Sequence, residues 1–263
     1  MLFLTEPLRD LGAWTRWLLP QELPVLSTTS AAIEALRESE EEVTPAQLDD
    51  IISMDPLMTI KFLAHVAARR RHLDDGAPET VLSALLLTGV GPFFREFGLQ
   101  PTLEGRLVER PEALEAVQEL LRHGERAARF ALAFAVHRAD PDAGVIRQAA
   151  FVQDFVDLLF WFHAPALMLR IRQAQLADPG LRSVQAQRAY LNTPLELLRQ
   201  ALLQAWHIPD LQNRGIELAC RLARHTMHGW ESPALSDDVN DIAELLHAAP
   251  RVALAYVRKV DQD

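Results

Sequence analysis

With a single cysteine, Cys220, among 263 residues, the chain has no disulfide framework and no cysteine-based zinc site. Cys220 is expected to pack as a small apolar side chain. Aromatic residues are sparse at 7%, while Ala and Leu dominate, which favours helices over strands. No stretch alternates apolar and polar in the manner of a half-buried strand, and no fixed-period repeat recurs. Basic residues are outnumbered, 26 Lys and Arg against 36 Asp and Glu, for a net charge of −10. That balance argues against broad nucleic-acid binding, which needs a basic surface to displace counterions. Gly89 and Gly91 form no phosphate loop, because no strand precedes them and no third glycine or lysine follows at the needed spacing. No apolar run reaches membrane-spanning length. The start, Met1 to Pro7, lacks the basic region and long apolar core of a secretory signal. The expectation is a soluble protein of a reducing cytoplasm with no membrane partner.

What is present is helical punctuation. Leu8, Leu11, Trp14 and Leu18 recur at helical spacing before Leu19-Pro20 and Leu23-Pro24 break the run. Ser27 or Thr28 can cap the next helix, and an acidic loop follows at Glu38–Glu42. Thr44-Pro45 and Asp55-Pro56 each place a capping residue before a proline at the first helical position. Asp55 and Pro56 are therefore read as structural, as is Gly89, which stops a helix ending at Leu87. Arg69, Arg70 and Arg71 close the Asp55-Pro56 helix, where cations suit the helix dipole. Three adjacent cations in an acidic protein also mark a candidate contact for a partner or an anion. Residues 99–110 carry glycine, proline and mixed charge. They read as a joint between an N-terminal helical subdomain, 1–98, and a second one, 111–263. Trp206 at a helix end, followed by Ile208-Pro209, predicts a buried ring, so Trp206 and Pro209 are also read as structural.

The run from Ala149 to Phe162 is apolar except for Gln153, Asp154 and Asp157. Such a segment belongs in a core, and its polar groups must be satisfied there. Read as one helix, its spacing puts these three side chains on one face. Upstream, His123 begins the strongly helical stretch to His137. A histidine on one core helix facing a polar-Asp set on another outlines a metal-dependent phosphohydrolase site. That outline has a glutamine where a ligand belongs.

Four segments in order carry a resemblance. They are Leu19-Pro20 to Leu23-Pro24, Ile51 to Thr59 around Asp55-Pro56, Ala84 to Gly89, and Trp206 to Pro209. Together, over roughly residues 19–225, they resemble the HD-related output domain (HDOD) family, a non-catalytic relative of the HD phosphohydrolases. The resemblance implies an all-α, multi-helix bundle of two packed helical subdomains with an HD-like core. Residues 111–263 would form the degenerate HD-like part, with His123, Gln153, Asp154 and Asp157 at the degenerate site. Family members often have Asn-Ser after the Asp-Pro helix, where this chain has Ala67-Ala68 and the three arginines. The neutral amide of Gln153 is a poor ligand beside imidazole, and no histidine stands near Thr193–Glu196.

The expectation is therefore no catalytic residue, no metal and no cofactor. The expected function is a signalling or regulatory module that acts through protein contact with a partner in a signalling pathway. The competing reading is a residual HD-type phosphohydrolase acting on nucleotides or cyclic dinucleotides.

Overall fold

The computed structural model describes residues 3–70 and 77–262; Arg71 lies outside them. The described residues hold sixteen α-helices. No strand is present among them, only an isolated parallel bridge between Val25 and Thr102. None of these helices is long and apolar enough to cross a membrane.

The chain divides into two units. The first comprises Met1–Val117 and Phe155–Asp210. It contains α1 (Leu11–Leu18), α2 (Ser27–Arg37), a 3-10 turn (Glu40–Glu42), α3 (Pro45–Ile52), α4 (Pro56–Arg70), α5 (Val81–Thr88), α6 (Val90–Glu96) and α7 (Leu103–Leu107). The division then falls inside α8 (Pro111–His137). After Asp154 the first unit resumes with α10 (Phe155–His163), α11 (Pro165–Ala177), α12 (Ser183–Leu191) and α13 (Leu195–Ala205). The second unit comprises Gln118–Asp154 and Leu211–Asp263. It holds the rest of α8, then α9 (Ala143–Phe151), α14 (Arg214–His225), α15 (Leu235–Leu245) and α16 (Pro250–Gln262).

This division differs from the boundary read at 99–110. Those residues are tied into the first unit by backbone pairing. Val25 N–H donates to Pro101 O at 3.0 Å, and Leu103 N–H to Val25 O at 2.9 Å. Glu104 then accepts from both the N–H and the hydroxyl of Ser27, each at 2.9 Å. Ser27 thus starts α2 as a held residue rather than as its side-chain cap. Residues 155–210, placed by sequence in the second subdomain, also pack into the first unit.

Local chemistry explains most helix starts. Thr44 caps α3 with a reciprocal box, its hydroxyl accepting from Gln47 N–H while Gln47 accepts from Thr44 N–H. Such a box satisfies donors that a helix leaves orphaned. Asp55 caps α4 through Leu57 N–H at 2.9 Å and Met58 N–H at 3.0 Å. Among the described residues four helices end in a left-handed residue that is not glycine: Ala139 (φ 53°), Asn192 (φ 61°), His207 (φ 57°) and His247 (φ 52°). After α13, Ile208 N–H reaches back to Leu203 O at 3.0 Å and His207 N–H to Gln204 O at 3.2 Å. That pair of bonds is a Schellman closure. The ends at Ala139 and His247 repeat it through Asp140 N–H to Ala135 O and Ala248 N–H to Ala243 O, both 2.9 Å. Gly89 itself has φ 85° between α5 and α6, a backbone state that disfavours any side chain.

In the first unit α10 is buried along its whole length apart from Asp157. Phe160 meets Trp14 at 4.6 Å, and the Trp14 indole donates to Leu191 O at 2.7 Å. The last residue of α10, His163, is 2% exposed. Its Nε2 is buried without a hydrogen-bond partner among the described residues. Burial, reinforced by the cation Arg106, pushes its pKa down to about 4. The folded state therefore holds it neutral, while the unfolded chain binds a proton below about 6.5. Stability from this residue is present above that value and drains as pH falls toward 4, by at most about 3 kcal/mol. Urea unfolding of His163→Phe should show a weaker acid dependence between pH 6.5 and 4 than the wild type; identical slopes would refute this account.

Candidate functional site

The polar cluster foreseen in the core forms in the second unit, in a different shape. The apolar stretch is not one helix. It breaks at residues 152–154, a turn between α9 and α10, so Gln153, Asp154 and Asp157 do not share one helical face. Val152 N–H and Gln153 N–H close back on α9, onto Gln148 O at 3.1 Å and Ala150 O at 3.4 Å. Asp157 passes into the first turn of α10, in the first unit. Asp154 stays in the second unit and meets His123.

Close approach makes the meeting possible. Gly124 follows His123 on α8, and a Cβ there would stand 3.3 Å from the Phe151 carbonyl oxygen. Without that side chain, α8 lies against the end of α9, one turn from Asp154. His123 is 5% exposed. Its Nδ1 lies 2.6 Å from Asp154 Oδ2 and its Nε2 lies 3.0 Å from the Cys220 carbonyl oxygen. A carbonyl oxygen only accepts, and an ionised carboxylate only accepts. With Asp154 ionised, hydrogen bonds to both oxygens require protons on both ring nitrogens, which makes the ring an imidazolium paired with Asp154. Burial pushes the His123 pKa down, but the Asp154 hydrogen bond and charge, with the Cys220 carbonyl, leave it above the ordinary value.

This arrangement does not fit a metal. A metal-binding imidazole presents a lone pair, and here each nitrogen donates to an oxygen. Gln153 adds only an amide. Among the described residues no three His, Cys, Asp or Glu side chains are grouped to hold an ion.

Residues 23–219 match the HDOD domain. The chain belongs to the HDOD domain family. As an HDOD protein it is similar in fold to the crystal structure of the MmoQ response regulator from Methylococcus capsulatus str. Bath. The identity is 22%, the TM-score 0.65, and the match covers 91% of this chain and 99% of that one. It is also similar to the virulence factor cj0248 from Campylobacter jejuni subsp. jejuni, at 17% identity and a TM-score of 0.60, covering 94% and 95%. The comparison with curated proteins gave no match. The HDOD match ends inside α14, so the carbonyl partner of His123, at Cys220, lies one residue past it.

The other sequence-chosen residues are scattered. Asp55 is fully buried; besides capping α4 it accepts from Leu26 N–H at 2.7 Å. Burial pushes its pKa up, opposed by hydrogen bonds from Leu26, Met58, Thr29 and Leu57. Pro56 is buried at the start of α4. Arg69 pairs with Glu96 at 3.0 Å on the surface, and Arg70 ends α4. Cys220 is half-buried against the second unit's core rather than fully inside it.

Trp206 differs from its expectation. It is half-buried, tilted against Phe155 at 5.9 Å, and Pro209 is exposed. The buried residue of the motif is Ile208, turned inward by the left-handed His207. Trp206→Ala should therefore cost only about 1–2 kcal/mol, below the range for a fully buried ring. A loss beyond about 3 kcal/mol in chemical denaturation would show that the ring is a true core element.

One cluster escaped the sequence reading. Asp238 is 1% exposed; it takes His225 Nδ1 on one oxygen and Arg221 Nε on the other, both at 2.6 Å. Arg221 also reaches Asp241. His225 is thus paired with the same carboxylate as Arg221. The signal was available in spacing: Arg221 and His225 are one turn apart on α14, Asp238 and Asp241 one turn apart on α15.

Proposed function

We propose that the protein is a non-catalytic regulatory module that acts by contact with a protein partner in a signalling pathway. One observation carries this reading. The histidine at the HD position spends both nitrogens as donors, to Asp154 and to the Cys220 carbonyl. Hydrolysis by an HD-type site needs a metal that acidifies water and polarises a phosphoryl oxygen. An imidazolium locked to a carboxylate, beside Gln153, supports a structural knot instead. The fold it shares with the MmoQ response regulator supports a place in signalling.

The test is elemental analysis of purified protein together with hydrolysis assays on nucleoside triphosphates and cyclic dinucleotides. The reading expects no stoichiometric Mn, Fe or Zn and no turnover, alongside a partner recovered reproducibly from extract of the source cell. Bound metal lost in Asp154→Ala, with nucleotide hydrolysis lost in parallel, would overturn it. That outcome would establish the residual phosphohydrolase, the reading favoured by the fact that His123 and Asp154 still meet.

A further inference from the structure

The residues ahead of α1 cross the first unit as an irregular strap. Leu4 N–H donates to the His163 carbonyl oxygen, at the end of α10, at 2.8 Å. The Phe3 ring lies against two cations. The guanidinium carbons of Arg106, on α7, and Arg110, just before α8, stand 4.3 and 4.5 Å from its centroid. Glu6 faces Arg170 of α11 at 3.9 Å. Farther on, Asn192 donates to Leu8 O at 2.9 Å. The attachment is shallow. Phe3 and Leu4 are only half-buried, and Thr5 and Glu6 are exposed. Cation–π contacts and ion pairs at such sites hold weakly. They suffice here because the strap is tethered, which gives it a high effective concentration at its own site.

The surface it touches is already organised for recognition. Arg106 Nε donates to Phe162 O at 2.8 Å, and its guanidinium meets the Phe162 ring at 4.9 Å as well as that of Phe3. Arg106 is therefore positioned from the α10 side whether or not Phe3 is in place. Next to it, the His163 ring keeps a buried Nε2 with no partner among the described residues, which is uncommon in a completed core.

We propose that Phe3–Glu6 fills, in cis, a peptide-docking surface built from Arg106, Arg110, Arg170 and the His163 carbonyl, and that a partner protein engages this surface by displacing the strap with a segment of the same chemistry. That segment carries an aromatic residue, a free backbone N–H beside it and a carboxylate three positions on. This rests on the regulatory reading and names its surface and its switch. The strap's own contacts argue for the partner's chemistry, since they show what the two arginines, the carbonyl and Arg170 each accept. A nucleic acid or an anionic lipid would meet the arginines through phosphate alone and would use neither ring nor N–H.

The test uses an end-blocked fluorescent peptide, Phe-Leu-Thr-Glu, with anisotropy read against the wild type and Phe3→Ser/Leu4→Pro. The double variant removes the ring and the N–H donor. The peptide should bind the variant at least about tenfold more tightly than the wild type, because a tethered copy no longer competes. Replacing its Phe by Ala should weaken binding about tenfold or more. Replacing its Glu by Lys should weaken it at low salt, where Arg170 meets a like charge. Adding Arg110→Gln to the variant should also weaken it, by about threefold or more. Equal binding by the three peptides, or of the parent peptide to wild type and variant, overturns the proposal. So does binding of phosphatidylglycerol vesicles or a single-stranded oligonucleotide in place of the peptide. If the double variant melts well below the wild type, hydrogen exchange at the Leu4 amide of the unaltered protein replaces it. Excess peptide should speed that exchange, and an unchanged rate overturns the proposal. A partner recovered from cell extract should be retained more strongly by the variant; equal retention defeats the strap assignment while the regulatory reading stands. Metal-dependent hydrolysis would instead defeat the regulatory reading whatever the strap does.

Discussion

Asp55→Ala is expected to destabilise the protein by about 3–5 kcal/mol. The carboxylate is fully buried and serves two elements at once. One oxygen caps α4 through Leu57 and Met58, and the other takes Leu26 N–H at the entry to α2. Removing it leaves those donors in a dry site, and an orphaned buried donor costs about 1–3 kcal/mol. The carboxylate's own desolvation, which raises its pKa, offsets part of that loss. Side-chain chemistry makes the order of variants informative. Serine keeps an acceptor for the α4 cap and loses only the Leu26 link. Asparagine keeps the cap too, but turns an amide donor toward the Leu26 donor. The expected order by urea denaturation is Asp above Ser, with Asn and Ala lowest. Asparagine equal to wild type would show that the negative charge and the second acceptor are dispensable.

Asp154→Ala should cost about 3 kcal/mol, because it leaves a buried imidazolium without its carboxylate. The pH dependence identifies the cause. The folded-state pKa of His123 is raised above its unfolded value. Its stabilisation is therefore complete below about 6.5 and is lost as pH climbs through the raised value. In Asp154→Ala only the Cys220 carbonyl still raises that pKa, against burial and Arg224, so most of the bonus is gone. The stability gap between wild type and variant should be widest near pH 6 and shrink toward pH 9. A gap constant across that range would mean that Asp154 acts by packing or turn geometry alone. The trend is opposite in sign to that of His163, whose contribution fades on acidification.

What the sequence made legible was mostly local. Thr44-Pro45 and Asp55-Pro56 announced helix starts because capping is settled within four residues. The burial of α10 up to Phe162, Asp157 apart, followed from a segment read as apolar on every side. The break at 152–154 was hidden because Val152, Gln153 and Asp154 include no glycine or proline to mark it. Helix α7 was hidden by the opposite signal, since glycine and proline around it read as a joint. His123 and Asp154 were found from residue type and spacing. The third member of their cluster is a backbone carbonyl, at Cys220, and a carbonyl leaves no trace in residue identity. Trp206 misled because its size argued for burial, whereas the backbone turn at His207 sends Ile208 inward instead.

Three of the four left-handed helix ends, those closed by Ala139, His207 and His247, carry a practical consequence. Each holds a side chain in a backbone state costing about 1 kcal/mol or more, and all three are exposed. Glycine there would relieve that strain at a smaller entropic cost. The chain thus keeps an untapped reserve at sites remote in sequence from Asp55, Asp154 and Phe3. Combined, the three substitutions supply a fortified carrier with a higher melting temperature. In that carrier the most damaging changes, Asp55→Ala and Asp154→Ala, can be examined in folded protein, so that lost partner binding is not mistaken for lost structure.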